Sequence, residues 1–334
     1  MSSATTAVPT AGAPQAGRAG LVRERSARIL RATLRRIVIG VVTLWGAVTL
    51  VFIFEHLSGD PVELLVPPTA TAAVRQATAR QLGLDQPLIE QYGRYVGNLL
   101  HGNFGNSFAF HQPAGPLVLG RLPATLELAG AAMVIAAVVG IPLGLLAAFT
   151  ARRRYSHWLG SLMALGQAVP PFLIAPLLIA FVSVRWHLTP VSGRGGFDSI
   201  ILPAVSLALF QLAVLFRVTR GAALQALRGS YVEFARAKGA SRLRLAWQHV
   251  LPNSLVPLMT VSALALAALI GGSVIVETIF NWPGIGYLLI QAVQQRDFPI
   301  VSAVTTVFAT AYIVLNMVVD IMYAVVDPRT VARS

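Results

Sequence analysis

Cutting the chain at its charged residues leaves six apolar stretches separated by polar segments. They are Ile37–Phe54; Leu128–Ala151, with a helix start near Leu122 and Glu127 close to its end; and a stretch within Tyr155–Val184 containing Pro170-Pro171. The others are Ser199–Phe216, bounded by Asp198 and by Arg217 and Arg220; Ser254–Val276; and Pro299–Val319, running on towards Tyr323. Each is close to the ~20 residues a helix needs to cross a hydrocarbon core of about 30 Å. The pattern predicts an all-α integral membrane protein with six transmembrane helices. Composition agrees: of 334 residues, 55% are hydrophobic and only 12% charged, about half the charge of a soluble domain.

Charge then orients the spans. Alternate crossing divides the polar segments into two sets. One holds the N-terminal arm (Arg18 to Arg36), Arg152–Arg154, the Arg217–Arg244 segment with Lys238, and Arg329 with Arg333, in total 19 basic residues. The other holds seven, Arg75, Arg80, Arg94, Arg121, Arg185, Arg194 and Arg296. The positive-inside rule places the first set, and with it both termini, in the cytoplasm. The net charge of +13 is thereby assigned to the inner membrane face, and a nucleic-acid partner is not needed to account for it.

Several chemistries are excluded outright. There is no cysteine, hence no disulfide, thiolate metal site or cysteine nucleophile. The histidines (56, 101, 111, 157, 187 and 249) form no pair at helical spacing, so no helical metal pair exists. Lys238 is the only lysine and precedes Gly239, so the chain lacks a GK[ST] phosphate loop and binds no ATP in that way. A multi-span membrane enzyme would need convergent catalytic groups at membrane depth, and the spans carry almost no ionisable residues.

The expected organisation is a disordered tail over 1–22, a basic flank and first span over 23–55, an outer segment over 56–120, a core of five helices over 121–326, and a tail over 327–334. The first span lacks a small-x-small cleavage site after Phe54-Glu55-His56 and reads as a retained helix rather than a signal peptide. In the outer segment, helices are expected over Thr71–Leu82 and from Asp85-Gln86-Pro87 to Leu100, followed by a turn at Gly102–Asn106. Asp320 and Glu127, near span ends, read as structural ties to basic groups rather than proton relays.

The segment 217–253 is the most ordered of the inner ones. Ser230 and Glu233 have capping-box spacing, Arg236 and Lys238 suit a helix C-terminus, and Gly239 suits the left-handed position just beyond it. Ser241 then caps a second helix on which Leu243, Trp247 and Val250 share a face, closed by Leu251-Pro252. This predicts two short helices hinged at Gly239. From the residues alone, an amphipathic helix lying on the membrane surface is the competing reading.

Glu233-Phe-Ala235-x-x-x-Gly239, then nine residues, then His249-Val-Leu251-Pro252 resembles the Glu-Ala-Ala…Gly…Ile-x-Leu-Pro loop of ABC importer permeases, with Phe234 and His249 departing from the pattern. Leu82-Gly-Leu-Asp85-Gln-Pro87, Gln91-Tyr92, Tyr95, Asn98 to Gly105, Gly59-Asp60-Pro61, Pro190 to Gly193, Glu277 to Gly286, and Asn316…Asp320…Tyr323…Asp327-Pro328-Arg329 resemble the dipeptide/oligopeptide/nickel subfamily over residues 30–329. The resemblance implies a type I ABC importer permease fold in a bacterial inner membrane. It also implies a coupling loop (Ser230, Tyr231, Glu233, Phe234, Ala235, Ala237, Lys238, Gly239, Ala240, Ser241) that docks on a cytoplasmic ATPase. Asn281, Trp282, Pro283 and Gly284 would form a turn at the outer mouth of the pathway, or an interfacial anchor for its helix pair.

The implied partners are a second homologous permease, two ABC ATPases, a periplasmic or lipid-anchored substrate-binding protein and membrane lipid. No cofactor is expected on this chain, ATP and magnesium belonging to the ATPases. Peptide and nickel-chelate substrates both fit the subfamily. For Glu233 and Gly239 the capping roles and the docking roles are both open, and the Pro170-Pro171 kink serves either packing or gating.

Overall fold

The computed structural model describes residues 16–57, 62, 66 and 69–326, without side chains for 16–33, 36, 82 and 319–326. Twelve helical elements account for most of this length. They are α1 (Ala16–Leu57), α2 (Ala72–Leu82), α3 (Leu88–Leu100), α4 (Ala114–Phe149), α5 (Arg154–Ala168) and α6 (Pro171–Leu178, running on as a π-helical turn over Ile179–Arg185). There follow α7 (Phe197–Ala226), α8 (Ser230–Ala237), α9 (Arg242–Arg244, continued by a π-helical turn over Leu245–Val250), α10 (Leu251–Ile279), α11 (Ile285–Gln294) and α12 (Phe298–Val326). No strand occurs among the described residues, only an isolated bridge between Asn106 and Pro113.

Among the described residues, five helical stretches are long and apolar enough to cross a membrane, and α5 with α6 makes a sixth if that bent pair is one span. The bend is 95°. Its cause is local: Val169, ahead of Pro170, is held extended, and Pro171 opens the next helix, where its missing N–H costs nothing.

The central helix is α7, with 72% of its apolar window buried against 22–39% for the other straight spans. It packs chiefly on α4 through a line of residues four apart: Ala124, Leu128, Ala132, Ala136, Gly140, Gly144 and Ala148 are all buried. Small residues at this spacing let two backbones approach closely in lipid. A Cβ on Gly144 would lie 2.7 Å from the Phe216 carbonyl oxygen and 2.7 Å from Thr219 Cβ; one on Gly140 would lie 2.8 Å from the Leu212 carbonyl oxygen. Gly144→Val should therefore destabilise the helix pair by about 1–3 kcal/mol or more, since a backbone carbonyl cannot step aside. Thermal unfolding in detergent measures this, with Gly130→Ala, at an unobstructed position, as the neutral control.

Three expectations need correction. Helix α1 begins at Ala16, so residues 16–22 of the expected tail are helical; once a helix exists, adding residues avoids the cost of nucleation. Residues 1–15, Gly59-Asp60-Pro61 and 327–334 lie outside the described residues, as do the side chains of Asp320 and Tyr323. Arg217 and Arg220 do not end the fourth helix, which runs to Ala226, because arginine is a good helix former and its charge marks only where hydrocarbon stops. Leu251-Pro252 does not close a helix either. The chain is helical from Arg242 to Ile279, with the π-helical turn over 245–250 just ahead of Pro252 accommodating the ring and its missing donor.

The outer-segment helices match their predicted places, and Gly102 and Gly105 both adopt positive φ in the expected turn. This segment is fastened to the spans by polar contacts. Tyr92 meets Thr49 (2.6 Å), Tyr95 meets Ser302 (2.7 Å), and His56 meets Gln91 (3.1 Å). Burial pushes the Tyr95 hydroxyl up to about 12, so it stays protonated in that bond at neutral pH.

Candidate functional site

At the end of the bundle carrying Arg152–Arg154, residues 227–241 form a compact projection between α7 and α9. Its core is Val232 and Ala235 of α8, buried against Leu145, Ala148, Ala223, Ala226, Leu245 and Val250. The opposite face of α8 is open, with Tyr231 40% and Phe234 63% exposed. Lys238 Nζ lies 4.4 Å from the Phe234 ring centroid.

The C-terminus of α8 is a Schellman turn. Gly239 has φ +81°, its N–H donates to Arg236 O (2.9 Å), and the Ala240 N–H donates to Ala235 O (3.1 Å). A Cβ on Gly239 would meet no atom within 4 Å, so backbone conformation alone, and not crowding, calls for glycine. Ser241 then caps α9, its hydroxyl accepting from the Arg244 N–H. Both features match the expectation.

The N-terminus differs from it. The cap residue is Gly229, in extended conformation, and α8 carries no side-chain cap. Ser230 is already helical, so its three-residue spacing to Glu233 no longer runs from the cap, and the capping box is absent. Glu233 is exposed and free of a capping duty. Likewise Leu243 and Trp247 do not share the buried face of Val250: they are 69% and 51% exposed, and Leu245 and Ala246 take the inward positions. The exposed rim of the projection thus carries Tyr231, Glu233, Phe234, Ala237, Lys238, Leu243 and Trp247.

The other end of the bundle holds the turn 280–284. Trp282 is 1% exposed and donates from Nε1 to the Ala124 carbonyl (2.8 Å). The Arg194 guanidinium stands 5.8 Å from its ring centroid and also pairs with Glu127 at 2.6 Å. That is the tie to a basic group expected of Glu127, though at half-exposed side chains it contributes under about 1 kcal/mol. Of the four residues expected at the outer mouth, Trp282 and Gly284 are buried, Pro283 is partly covered, and Asn281, at φ +48°, is exposed.

Beneath the turn lies a polar cluster to which no sequence motif assigns a role. Glu277 is fully buried. Its carboxylate accepts from Thr125 Oγ1 (2.8 Å), Ser273 Oγ (2.8 Å) and the Tyr287 N–H (3.0 Å), while the Ile285 N–H donates to Thr125 Oγ1 (2.9 Å). The carboxylate therefore satisfies a free N–H at the start of α11 and ties α4, α10 and α11 together. Gly284 is required beside it, because a Cβ there would strike both Glu277 and Thr125. A second buried acid, Asp297, accepts from Ser107 Oγ (2.5 Å) and from the Phe108 and Ala109 N–H groups (3.2 Å each), holding the loop 103–113 to the head of α12. A charged residue at the edge of an apolar run was the available signal for both.

Residues 140–332 match the family of binding-protein-dependent transport system inner membrane components. The chain belongs to this family. It is 37% identical to the dipeptide transport system permease protein DppB of Escherichia coli (strain K12), over 90% of this chain and 98% of that one. It is 36% identical to the glutathione transport system permease protein GsiC of the same strain, with the same coverage. In fold it is similar to a chain of the inward-facing MetNI methionine ABC transporter, with a TM-score of 0.54 at 18% identity, over 63% of this chain and 96% of that chain. The protein is accordingly an inner-membrane permease of the ABC importer type, a transport subunit and not an enzyme. Membership implies, in general terms, partner ATPases and a substrate-binding protein.

Proposed function

We propose that this permease moves di- or oligopeptides inward, pairing with a second homologous permease, two ABC ATPases and a periplasmic or lipid-anchored binding protein. The observation that carries the substrate class is the similarity to DppB and GsiC over 90% of the chain. That coverage extends well ahead of residue 140, where the family match begins, and so takes in much of the outer segment as well as the core.

In this reading the end bearing 227–241 is cytoplasmic, as the positive-inside rule requires, and both termini are cytoplasmic too. ATP and magnesium act on the ATPases, and this chain needs no cofactor. ATP binding closes the ATPases and moves α8, which is packed on the ends of α4, α7 and α9. The permease pair then passes from inward-open to outward-open, an equilibrium that ATP and loaded binding protein bias by preferring one state. Exposed Tyr231 and Phe234 make the contact. Glu233, Lys238 and the surrounding arginines flank it with charge.

Two measurements test the proposal. Reporter fusions after Ala109 should appear outside, and fusions after Arg153, Gly229 and the C-terminus inside; an inside signal at Ala109 overturns the orientation. In proteoliposomes with its partners, the complex should import labelled dipeptide and hydrolyse ATP faster with loaded binding protein, while the single chain hydrolyses none. Import of nickel chelate without dipeptide would reassign the substrate.

A further inference from the structure

A cavity of about 360 Å³ opens between α5 and α7 at the basic end of the bundle. Ser156, His157, Ser161 and Gln167 of α5 line it, facing Arg217 and Arg220 of α7, and no acidic residue takes part. Arg217 donates to a neutral acceptor, Gln167 Oε1. Arg220 Nε is buried with no hydrogen-bond partner. Among the described residues neither arginine is in an ion pair. A guanidinium cannot shed its charge, and a buried donor left unpaired is costly. The arrangement therefore favours an oxyanion, and two arginine forks match phosphate geometry in particular.

Depth and surroundings identify the source of that oxyanion. From Phe197 at the far end of α7 to Arg217 is about 30 Å along the helix, the thickness of the hydrocarbon core, so both arginines stand at headgroup level. Beside the cavity, α5 exposes Tyr155 (41%) and Trp158 (76%) in its first two turns, and Leu162 and Leu165 continue that stripe. Aromatics with polar tips belong at the membrane–water interface, with leucines deeper in hydrocarbon. The cavity thus lies beside a face built for lipid, at the depth where lipid phosphates lie. Ser156 is not a donor to the site, because its hydroxyl is taken by the Ala147 carbonyl (2.8 Å); Ser161 and His157 remain available.

We propose that this cavity binds the headgroup phosphate of an anionic phospholipid, with Arg217 and Arg220 as the primary contacts. Basic pockets between spanning helices are the general form of such sites. Which leaflet supplies the lipid depends on the orientation proposed above, but the binding does not, so the test is done in detergent, where orientation plays no part.

The full chain, alone and with its partner subunits, is delipidated and titrated with phosphatidylglycerol or phosphatidylcholine, reading bound lipid by native mass spectrometry and unfolding temperature. Phosphatidylglycerol should bind and raise the unfolding temperature. Arg217→Gln/Arg220→Gln should weaken it about tenfold or more, the loss expected for charge-assisted contacts. Arg228→Gln/Arg244→Gln, at the same end but outside the cavity, should not. Gly160→Leu, which fills the space without touching a charge, should also abolish binding, and this covers the case in which the double variant fails to fold.

Equal binding of phosphatidylcholine, or unchanged phosphatidylglycerol binding in both cavity variants, overturns the proposal. So does equal stabilisation by soluble glycerol 3-phosphate or by a dipeptide, which would make the site one for soluble anions or for the transported substrate. Loss of the site in the assembled complex alone would assign the cavity to a partner subunit and likewise overturn it.

Discussion

Glu277→Ala should abolish accumulation of the folded permease, or lower its unfolding temperature at least as far as Gly144→Val does. The side chain is fully buried, and its removal takes the acceptor from two donors, the Thr125 hydroxyl and the Tyr287 N–H. Ser273 is less affected, since its hydroxyl also reaches the Ile270 carbonyl at 3.1 Å. At about 1–3 kcal/mol per stranded donor, plus the void left by the carboxylate, the loss is at least about 3 kcal/mol, against a total stability of about 5–15 kcal/mol for a typical protein. Glu277→Gln keeps one oxygen acceptor but turns an N–H2 towards existing donors, and should fall between wild type and alanine. Because Thr125 accepts from Ile285 while donating to Glu277, Thr125→Val and Glu277→Ala should be strongly non-additive in a double-mutant cycle. Additive effects, or a mild Glu277→Ala phenotype, would show that the turn 280–284 is held by apolar packing around Trp282 instead.

Tyr231→Ala/Phe234→Ala should leave the isolated permease as stable as wild type and still prevent it from working with its ATPases. Phe234 is 63% exposed and its ring faces the Lys238 ammonium, so the fold loses little. At an interface centre, aromatic anchors cost about 2 kcal/mol or more on truncation, roughly a thirtyfold weaker association. Co-purification of the ATPases and peptide uptake in cells should both collapse, with membrane insertion unchanged. Glu233→Gln isolates the carboxylate's charge. With Gly229 as the cap, Glu233 makes no capping bond and its charge adds only about 0.3–1 kcal/mol through the helix dipole, so a large loss of ATPase association reports on docking. Gly239→Pro is the blunter change. Proline cannot adopt φ +81° and removes the N–H that bonds Arg236 O, so it breaks the Schellman turn itself. Normal uptake by the aromatic double variant would leave α8 as a structural clasp between α7 and α9.

The features legible in the linear chain are those governed by near neighbours. Span positions follow from runs of apolar residues, because hydrocarbon thickness sets a length that a single helix must meet. The left-handed Gly239, the Ser241 cap and the outer helices α2 and α3 depend on the backbone preferences of a few adjacent residues, and each lies where the pattern puts it. What only the tertiary structure decided is of two kinds. The first is where a local signal yields to packing: Gly229 displaces Ser230 as cap, and Pro252 sits inside a continuous helix beyond a π-helical turn. A cap preference of a few tenths of a kcal/mol, and the larger cost of Pro252 once the π-helical turn has accommodated its ring, are outweighed there by burial of Val232, Ala235, Leu245 and Val250 in one cluster. The second is partnership. Glu277 finds Thr125 across 152 residues, and Asp297 finds Ser107 across 190. A carboxylate in an apolar helix signals that donors must surround it, but which ones depends on which helices pack together, and no periodicity along the chain encodes that.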